Sequence, residues 1–238
     1  MNILVVNDDS IHAPGIKMLA QAASKLGNVW VVAPAGQCSA MSQKLTLENS
    51  MSLRRVEDFP ADVKGAWAVG GTPVDCVKVA LCHILKEKPD LVLSGINNGY
   101  NAGFDIAYSG TLGATFEAVR NGVPAIAVSS PGDAHLPAVE PLLLPILQEL
   151  AQADAGEGKV WNVNFPRVKD EPAKGILRDR IPARSSMYFE CYTEIVEPDG
   201  SLALSCQGYP VPDEALGEGT DGEAVRNGYI SIGKVSAF

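Results

Sequence analysis

The chain opens with Asn2-Ile3-Leu4-Val5-Val6, an apolar run that stops at Asn7-Asp8-Asp9 and is followed by the turn residues Ala13-Pro14-Gly15. A short apolar run bounded by polar residues reads as a buried strand, and the Pro-Gly pair separates it from the helical pattern beyond. In that pattern Ile16, Leu19, Ala20, Ala23 and Leu26 recur at spacings of three and four, so they share one face, and Gly27-Asn28 supplies the stop. Residues 28 to 33 give a second strand around Val29-Trp30-Val31-Val32. Strand, helix and strand in this order form a parallel pair with a right-handed crossover, which directs the chain to an α/β fold.

The alternation continues. A helix is expected over 74–85, a strand over 90–94, a helix over 112–120, a strand over 123–129, a helical segment over 136–153 and a strand over 160–165. Pro141 and Pro145 obscure where the longest of these helices starts. Residues 1–166 thus predict a doubly wound, mostly parallel sheet, in which ligands bind at the carboxyl ends of the strands. After Pro166 the texture changes to β-rich segments around 187–196 and 202–206, joined by the turn signal Pro198-Asp199-Gly200. Residues 214–223 are acidic and glycine-containing, and 228–232 read as a last strand. Residues 167–238 are therefore expected as a hairpin-rich C-terminal appendage, packed into the same domain and involved in oligomer formation.

Charge and cysteine content narrow the partners. With 28 acidic against 19 basic side chains the net charge is -9, which supplies no long-range attraction for a nucleic-acid polymer. An anionic substrate would need local compensation, and a bound cation is the simplest source. The five cysteines are odd in number and contain no Cys-x-x-Cys pair, which predicts reduced, mostly packed thiols in a cytoplasmic protein. No stretch approaches the roughly 20 apolar residues of a membrane span, so no membrane partner is expected.

Three constellations offer chemistry. Asp8 and Asp9 lie just past the first strand, where adjacent carboxylates repel unless a positive charge stands beside them. Magnesium or manganese, which favour oxygen donors, would answer that need and would also bind phosphate oxygens. Ser94-Gly95-Ile96-Asn97-Asn98-Gly99 follows another strand, and the Asn97 amide oxygen is a donor suited to a hard cation. Tyr108-Ser109-Gly110-Thr111 precedes a helix, where free amides and two hydroxyls make a phosphate cradle. Other signals fail. Gly217 to Gly222 matches a dinucleotide fingerprint in letters only, without a preceding apolar strand. His12, His83 and His135 have no zinc spacing.

Taken together, Asn7-Asp8-Asp9 with Ala13-Pro14-Gly15, Val31-Val32-Ala33-Pro34 with Ser39, Gly71-Thr72-Pro73-Val74-Asp75-Cys76, Ser94-Gly95-Ile96-Asn97 and Tyr108-Ser109-Gly110-Thr111 resemble the SurE family in order and spacing. Asn162-Val163-Asn164-Phe165-Pro166 and Asn227-Gly228-Tyr229-Ile230-Ser231-Ile232 extend the likeness over nearly the whole chain. The resemblance implies a Rossmann-like domain, a homodimer or homotetramer, and a phosphomonoesterase acting on nucleoside monophosphates with one divalent cation per subunit. The activity so implied is that of a 5'-nucleotidase, with 3'-nucleotidase and exopolyphosphatase activities left open. By position it implies Asp8, Asp9, Ser39 and Asn97 as metal ligands, Asp8 and Asp9 as catalytic residues, and Ser109, Gly110 and Thr111 as phosphate-binding residues. Sequence physics alone reads Ser39 as a loop serine. The chain departs from the family where Ala35-Gly36 replaces a polar Asp-Arg pair, Ala40 replaces a glycine after Ser39, and Ser10 replaces a glycine after Asp9. The alternative is a non-catalytic nucleotide-binding or assembly protein that kept the fold.

Overall fold

The computed structural model describes residues 1–132, 136–167 and 172–237, and His135 lies outside them. Its sixteen main elements are β1 (Asn2–Val6), α1 (Pro14–Ala23), β2 (Asn28–Pro34), β3 (Leu53–Arg55), β4 (Gly65–Val69), α2 (Pro73–Val79), β5 (Leu91–Asn98), α3 (Gly110–Arg120), β6 (Ala125–Ser130), α4 (Leu136–Leu150), β7 (Lys159–Asn164), β8 (Ile176–Arg180), β9 (Tyr188–Val196), β10 (Leu202–Pro210), α5 (Asp221–Arg226) and β11 (Ile230–Ser236). Nine strands form one sheet in the order β3-β4-β2-β1-β5-β6-β7-β11-β8, parallel except at β3/β4 and β11/β7. From β1 the chain winds outward through β2 and β4 on one side and through β5, β6 and β7 on the other. The direction of winding changes between β1 and β5, and by the rule for doubly wound sheets the ligand crevice lies beyond their carboxyl ends.

Each face of the sheet carries its own apolar core. Val5, Val31, Leu93 and Val128 pack with Ile16 and Leu19 of α1 and Leu143 and Leu147 of α4. Leu4, Val6, Val92 and Ala127 pack on the other face with Val77 of α2 and Leu112 and Ala118 of α3. Burying a Leu, Ile or Val side chain fully contributes about 1.5–3 kcal/mol, so these two layers hold the strand ends in fixed relation.

The expected fold class matches, with local differences that have physical causes. The helix expected over 74–85 is α-helical only to Val79 and continues as a π-helical turn, Ala80–Ile84. Pro141 and Pro145 stand inside α4 rather than before it. Both are solvent-exposed and four residues apart, so the carbonyls they leave unpaired lie on the wet side of the helix. Strand β5 runs on to Asn98, past Gly95, after a shift of register against β6. Strands β3, β4 and β8 and helix α5 were not anticipated from periodicity. β11 enters the sheet beside β7 and carries β8 at its other edge, so residues on both sides of position 166 share one sheet. Only the β9/β10 hairpin stands apart, paired with itself.

The expectation of mostly packed thiols is corrected. Cys76 is buried and Cys38 half-buried, but Cys82, Cys191 and Cys206 are exposed, two of them on the hairpin that no core covers. None is in a disulfide.

Candidate active site

Asp8 and Asp9 follow β1 directly, and each is tied to a different neighbour. The Asp8 carboxylate accepts a hydrogen bond from Thr111 Oγ1 at 2.8 Å and another from the Thr111 amide. Gly110 makes this approach possible, because a Cβ there would stand 3.0 Å from the Asp8 Cβ and 3.1 Å from its Oδ2. Asp9 Oδ2 accepts from the Asn98 backbone N–H at 2.8 Å, which fixes it to the end of β5. Asn97 is one residue away and donates Nδ2 to the Gly99 carbonyl at 3.0 Å, leaving its amide oxygen uncommitted among the described residues. The end of β5 is set in turn by α1, whose Gly15 packs so close that a Cβ there would lie 2.1 Å from the Ile96 carbonyl oxygen.

The loop after β2 is drawn to the same place. The Cys38 N–H donates to the Asp8 carbonyl at 2.7 Å, so Ser39 is carried by a segment anchored on Asp8, with its side chain exposed. The far end of that loop is held by Asp75, which accepts from Thr46 N–H at 3.0 Å, Thr46 Oγ1 at 2.7 Å and Thr72 N–H at 2.9 Å. Thr72 and Asp75 together form a capping box at the start of α2. Burial works against the Asp75 charge, but these hydrogen bonds outweigh it and hold its carboxyl below the usual range.

Ser109 caps α3, its Oγ accepting the Leu112 N–H at 3.0 Å. Thr111 is fully buried and spends both its hydroxyl and its amide on Asp8. Of the three expected phosphate-binding residues, the Gly110 N–H and the Ser109 hydroxyl proton remain available. His12 is exposed, and its N–H donates to Ser10 Oγ at 3.3 Å.

Electrostatics set Asp8 apart. Burial pushes its carboxyl up to about 6; the Thr111 hydrogen bond pulls it down and the neighbouring Asp9 charge adds to the rise. No salt bridge to Asp8 occurs among the described residues. Asn7 Oδ1, next in the chain, is buried without a hydrogen-bond donor among the described residues. No group of three or more His, Cys, Asp or Glu side chains able to hold a metal occurs among the described residues. A cation in this crevice would therefore need amide, hydroxyl or carbonyl oxygens beside the two carboxylates.

Both residues replacing family glycines occupy left-handed backbone: Ser10 at φ 98° and Ala40 at φ 56°. The loop geometry is kept although the residue that favours it is absent. Sequence reasoning also missed the peptide of Asn101, which supports the segment running up to Ser109. Its N–H donates to Asn164 Oδ1 at 2.9 Å, and its carbonyl accepts from Asn162 Nδ2 at 2.8 Å and Asn164 Nδ2 at 3.0 Å. The Asn-Val-Asn spacing that puts both amides on one face of β7 was visible, but their target was not.

No helix among the described residues is long and apolar enough to cross a membrane. The family profile of survival protein SurE matches residues 3–187. A 5'-nucleotidase SurE of Flavobacterium psychrophilum is 39% identical over 233 residues, covering 97% of this chain and 89% of the relative. One of Laribacter hongkongensis is 37% identical over 239 residues, covering 99% and 93%. The crystal structure of the SurE protein of Aquifex aeolicus superposes with a TM-score of 0.83 at 34% identity, covering 100% of this chain and 94% of the other. With strand ends, helix start and loop converging on one crevice and likeness along nearly its full length, the chain belongs to the SurE family.

Proposed function

We propose that this chain is a divalent-cation-dependent 5'-nucleotidase, hydrolysing nucleoside monophosphates to nucleoside and phosphate. The observation that carries the proposal is the Asp8–Thr111 contact, which joins a pair of adjacent carboxylates to the start of α3 at the sheet's switch point. Carboxylates and a helix N-terminus repel and attract phosphate respectively, and a site that sets them side by side calls for a cation between carboxylate and phosphate.

The residues fit such an ion. The Asp8 carboxylate, the Asn97 amide oxygen and the buried Asn7 Oδ1, the last two without a hydrogen-bond donor among the described residues, are hard oxygen donors set beside Asp9. Asp8, Asp9, Asn97 and Ser39 would hold Mg2+ or Mn2+. When bound, the ion supplies positive charge to the phosphate oxygens and makes water more acidic.

The protein's own groups account for the rest. Gly110 N–H and the Ser109 hydroxyl donate to phosphate oxygens, and the N-terminal end of α3 favours the negative charge there. Thr111 acts on the reaction through Asp8, holding that carboxylate at a fixed angle. Asp9, oriented by the Asn98 N–H, is the group that orients and deprotonates the attacking water.

The proposal extends to assembly as a homodimer or homotetramer. Phe189, Ile195 and Tyr209 on one face of the β9/β10 hairpin, and Val196, Leu202 and Leu204 at the outer part of the other, are exposed. A two-stranded hairpin carrying such side chains is marginal alone in water, and a second copy of the chain is the proposed cover.

Steady-state phosphate release from a panel of 5'- and 3'-nucleoside monophosphates and short polyphosphates tests the function. The expected result is release from the 5'-nucleotides, lost on chelation and restored by manganese or magnesium. Nucleotide binding without release would instead establish the non-catalytic alternative.

A further inference from the structure

The site as described accounts for a phosphate and leaves unexplained the exposed aromatic rings at its edge. Tyr108 immediately precedes Ser109 and is 62% exposed. Its backbone is nonetheless fixed: the Ser42 N–H donates to the Tyr108 carbonyl at 2.9 Å, and Ser42 Oγ donates to the Ala107 carbonyl at 2.8 Å. The 3-10 helix Gly103–Tyr108 that carries it is also held from the hairpin side. Gly103 donates to both Asp221 oxygens, Phe104 N–H to the Ser185 carbonyl, and Met187 N–H to Asp105 Oδ2 at 2.9 Å. A hydrogen-bonded backbone that presents a wet aromatic ring beside a binding site is a common arrangement for ligand contact.

The hairpin brings a second ring to the same edge. Strand β9 leaves the Asp105 contact at Met187, and Tyr188, Glu190 and Tyr192 share one of its faces. Along that face Glu190 comes within electrostatic reach of Asp105, and Tyr192 within reach of Tyr108. Tyr192 is 65% exposed and paired across the hairpin with Cys206. Both phenols therefore stand on the same rim, within electrostatic reach of one another, where β9 departs from the 3-10 helix that leads into α3.

We infer that Tyr108, assisted by Tyr192 of the hairpin, forms a stacking platform for the nucleobase of the substrate. The inference rests on the nucleotidase reading above and adds to it a base subsite and a role for the hairpin in the site. A nucleotide held by its phosphate at Ser109-Gly110 extends its ribose and base outward, and the ring next to the cradle in sequence is Tyr108. Stacking tolerates any base, since every base has a π face, so the platform would favour nucleotides over simple phosphate esters without selecting strongly among them.

The test compares AMP with ribose 5-phosphate, which keeps the sugar and phosphate and lacks the base. The unmodified protein is expected to show a higher kcat/KM on AMP. Tyr108→Ala lowers kcat/KM on AMP by about 5- to 150-fold, through KM, and leaves ribose 5-phosphate within about twofold. Tyr108→Trp restores AMP, and Tyr192→Ala moves the same ratio in the same direction. Equal losses on both substrates, or no loss on AMP, overturn the platform. A ratio that responds to Tyr108 alone removes the hairpin from it. An unmodified protein that treats the two substrates alike has no base subsite yet remains a phosphomonoesterase, whereas one inert on both overturns the nucleotidase reading as well.

Discussion

Ser10 and Ala40 show how far a site's backbone can persist after its enabling residues change. Both stand where the family usually has glycine, and both hold left-handed φ angles of 98° and 56°. A side chain in such a conformation costs on the order of 1–3 kcal/mol. Glycine relieves this at the expense of about 0.4–1 kcal/mol of extra freedom in the unfolded chain. Ser10→Gly and Ala40→Gly are each expected to stabilise the fold by about 1 kcal/mol, seen as a higher urea midpoint at unchanged slope. A lowered midpoint for both would show that the surrounding loops have adapted to the side chains. At this scale the sequence was informative where chemistry is carried by type and position. Adjacent carboxylates after a buried strand point to a site by themselves. Ser39 does not, because a hydroxyl in a loop says nothing of the Cys38 N–H that ties the loop to Asp8. The double use of Thr111 on Asp8 was equally hidden, since the distance between positions 8 and 111 is bridged only by the fold.

Asp75 does for an element what Thr111 does for a residue. Its carboxylate caps α2 and simultaneously binds Thr46, so the loop bearing Ser39 is fastened at both ends. Replacing it with alanine leaves buried amides without acceptors, and Asp75→Ala is expected to cost about 2 kcal/mol at pH 7. Because the folded carboxyl is held below its ordinary value, the stabilisation is present above the unfolded pKa near 4 and is lost as pH falls through the lower folded value. The difference between wild type and variant in urea unfolding should therefore be constant from pH 7 to 5 and shrink below pH 4. A difference that grew on acidification would contradict the assignment. The capping-box half of this arrangement is legible in Thr72-Pro73-Val74-Asp75, because N-cap chemistry is local. The Thr46 half is not, being a contact between distant segments. Strand β5 gives the converse case. The strand is expected to end at Ser94, yet the backbone resumes pairing with β6 at Asn97 and Asn98 after a register shift, and this extension brings Asn97 to the crevice.

At the scale of the molecule, alternating apolar runs and helical stripes were sufficient for the parallel core, because its central strands are buried on both faces and α1 and α4 on one. They did not predict that β11 would lie between β7 and β8, since strand order depends on pairing across long separations. The hairpin was legible from Pro198-Asp199-Gly200, and its exposed apolar side chains now give that motif a consequence. Replacing residues 188–210 by a short glycine-serine linker should reduce the mass in solution to that of one chain, measured by light scattering. An unchanged multiple of the chain mass would place the interface elsewhere.

The central claim is that the crevice at β1 and β5 hydrolyses phosphate esters through Asp8 and Asp9 with a bound cation. The most direct measurement is manganese-dependent phosphate release from AMP by the wild type, Asp8→Asn and Asp9→Asn, with folding of each verified by thermal unfolding in chelator. Both variants should remain folded. Asp8→Asn should be no less stable than wild type above pH 6, because burial disfavours the charge it removes. Both should lose activity by at least about a hundredfold. Release that continues at the wild-type rate in either folded variant, or that survives complete chelation in the wild type, would contradict the account.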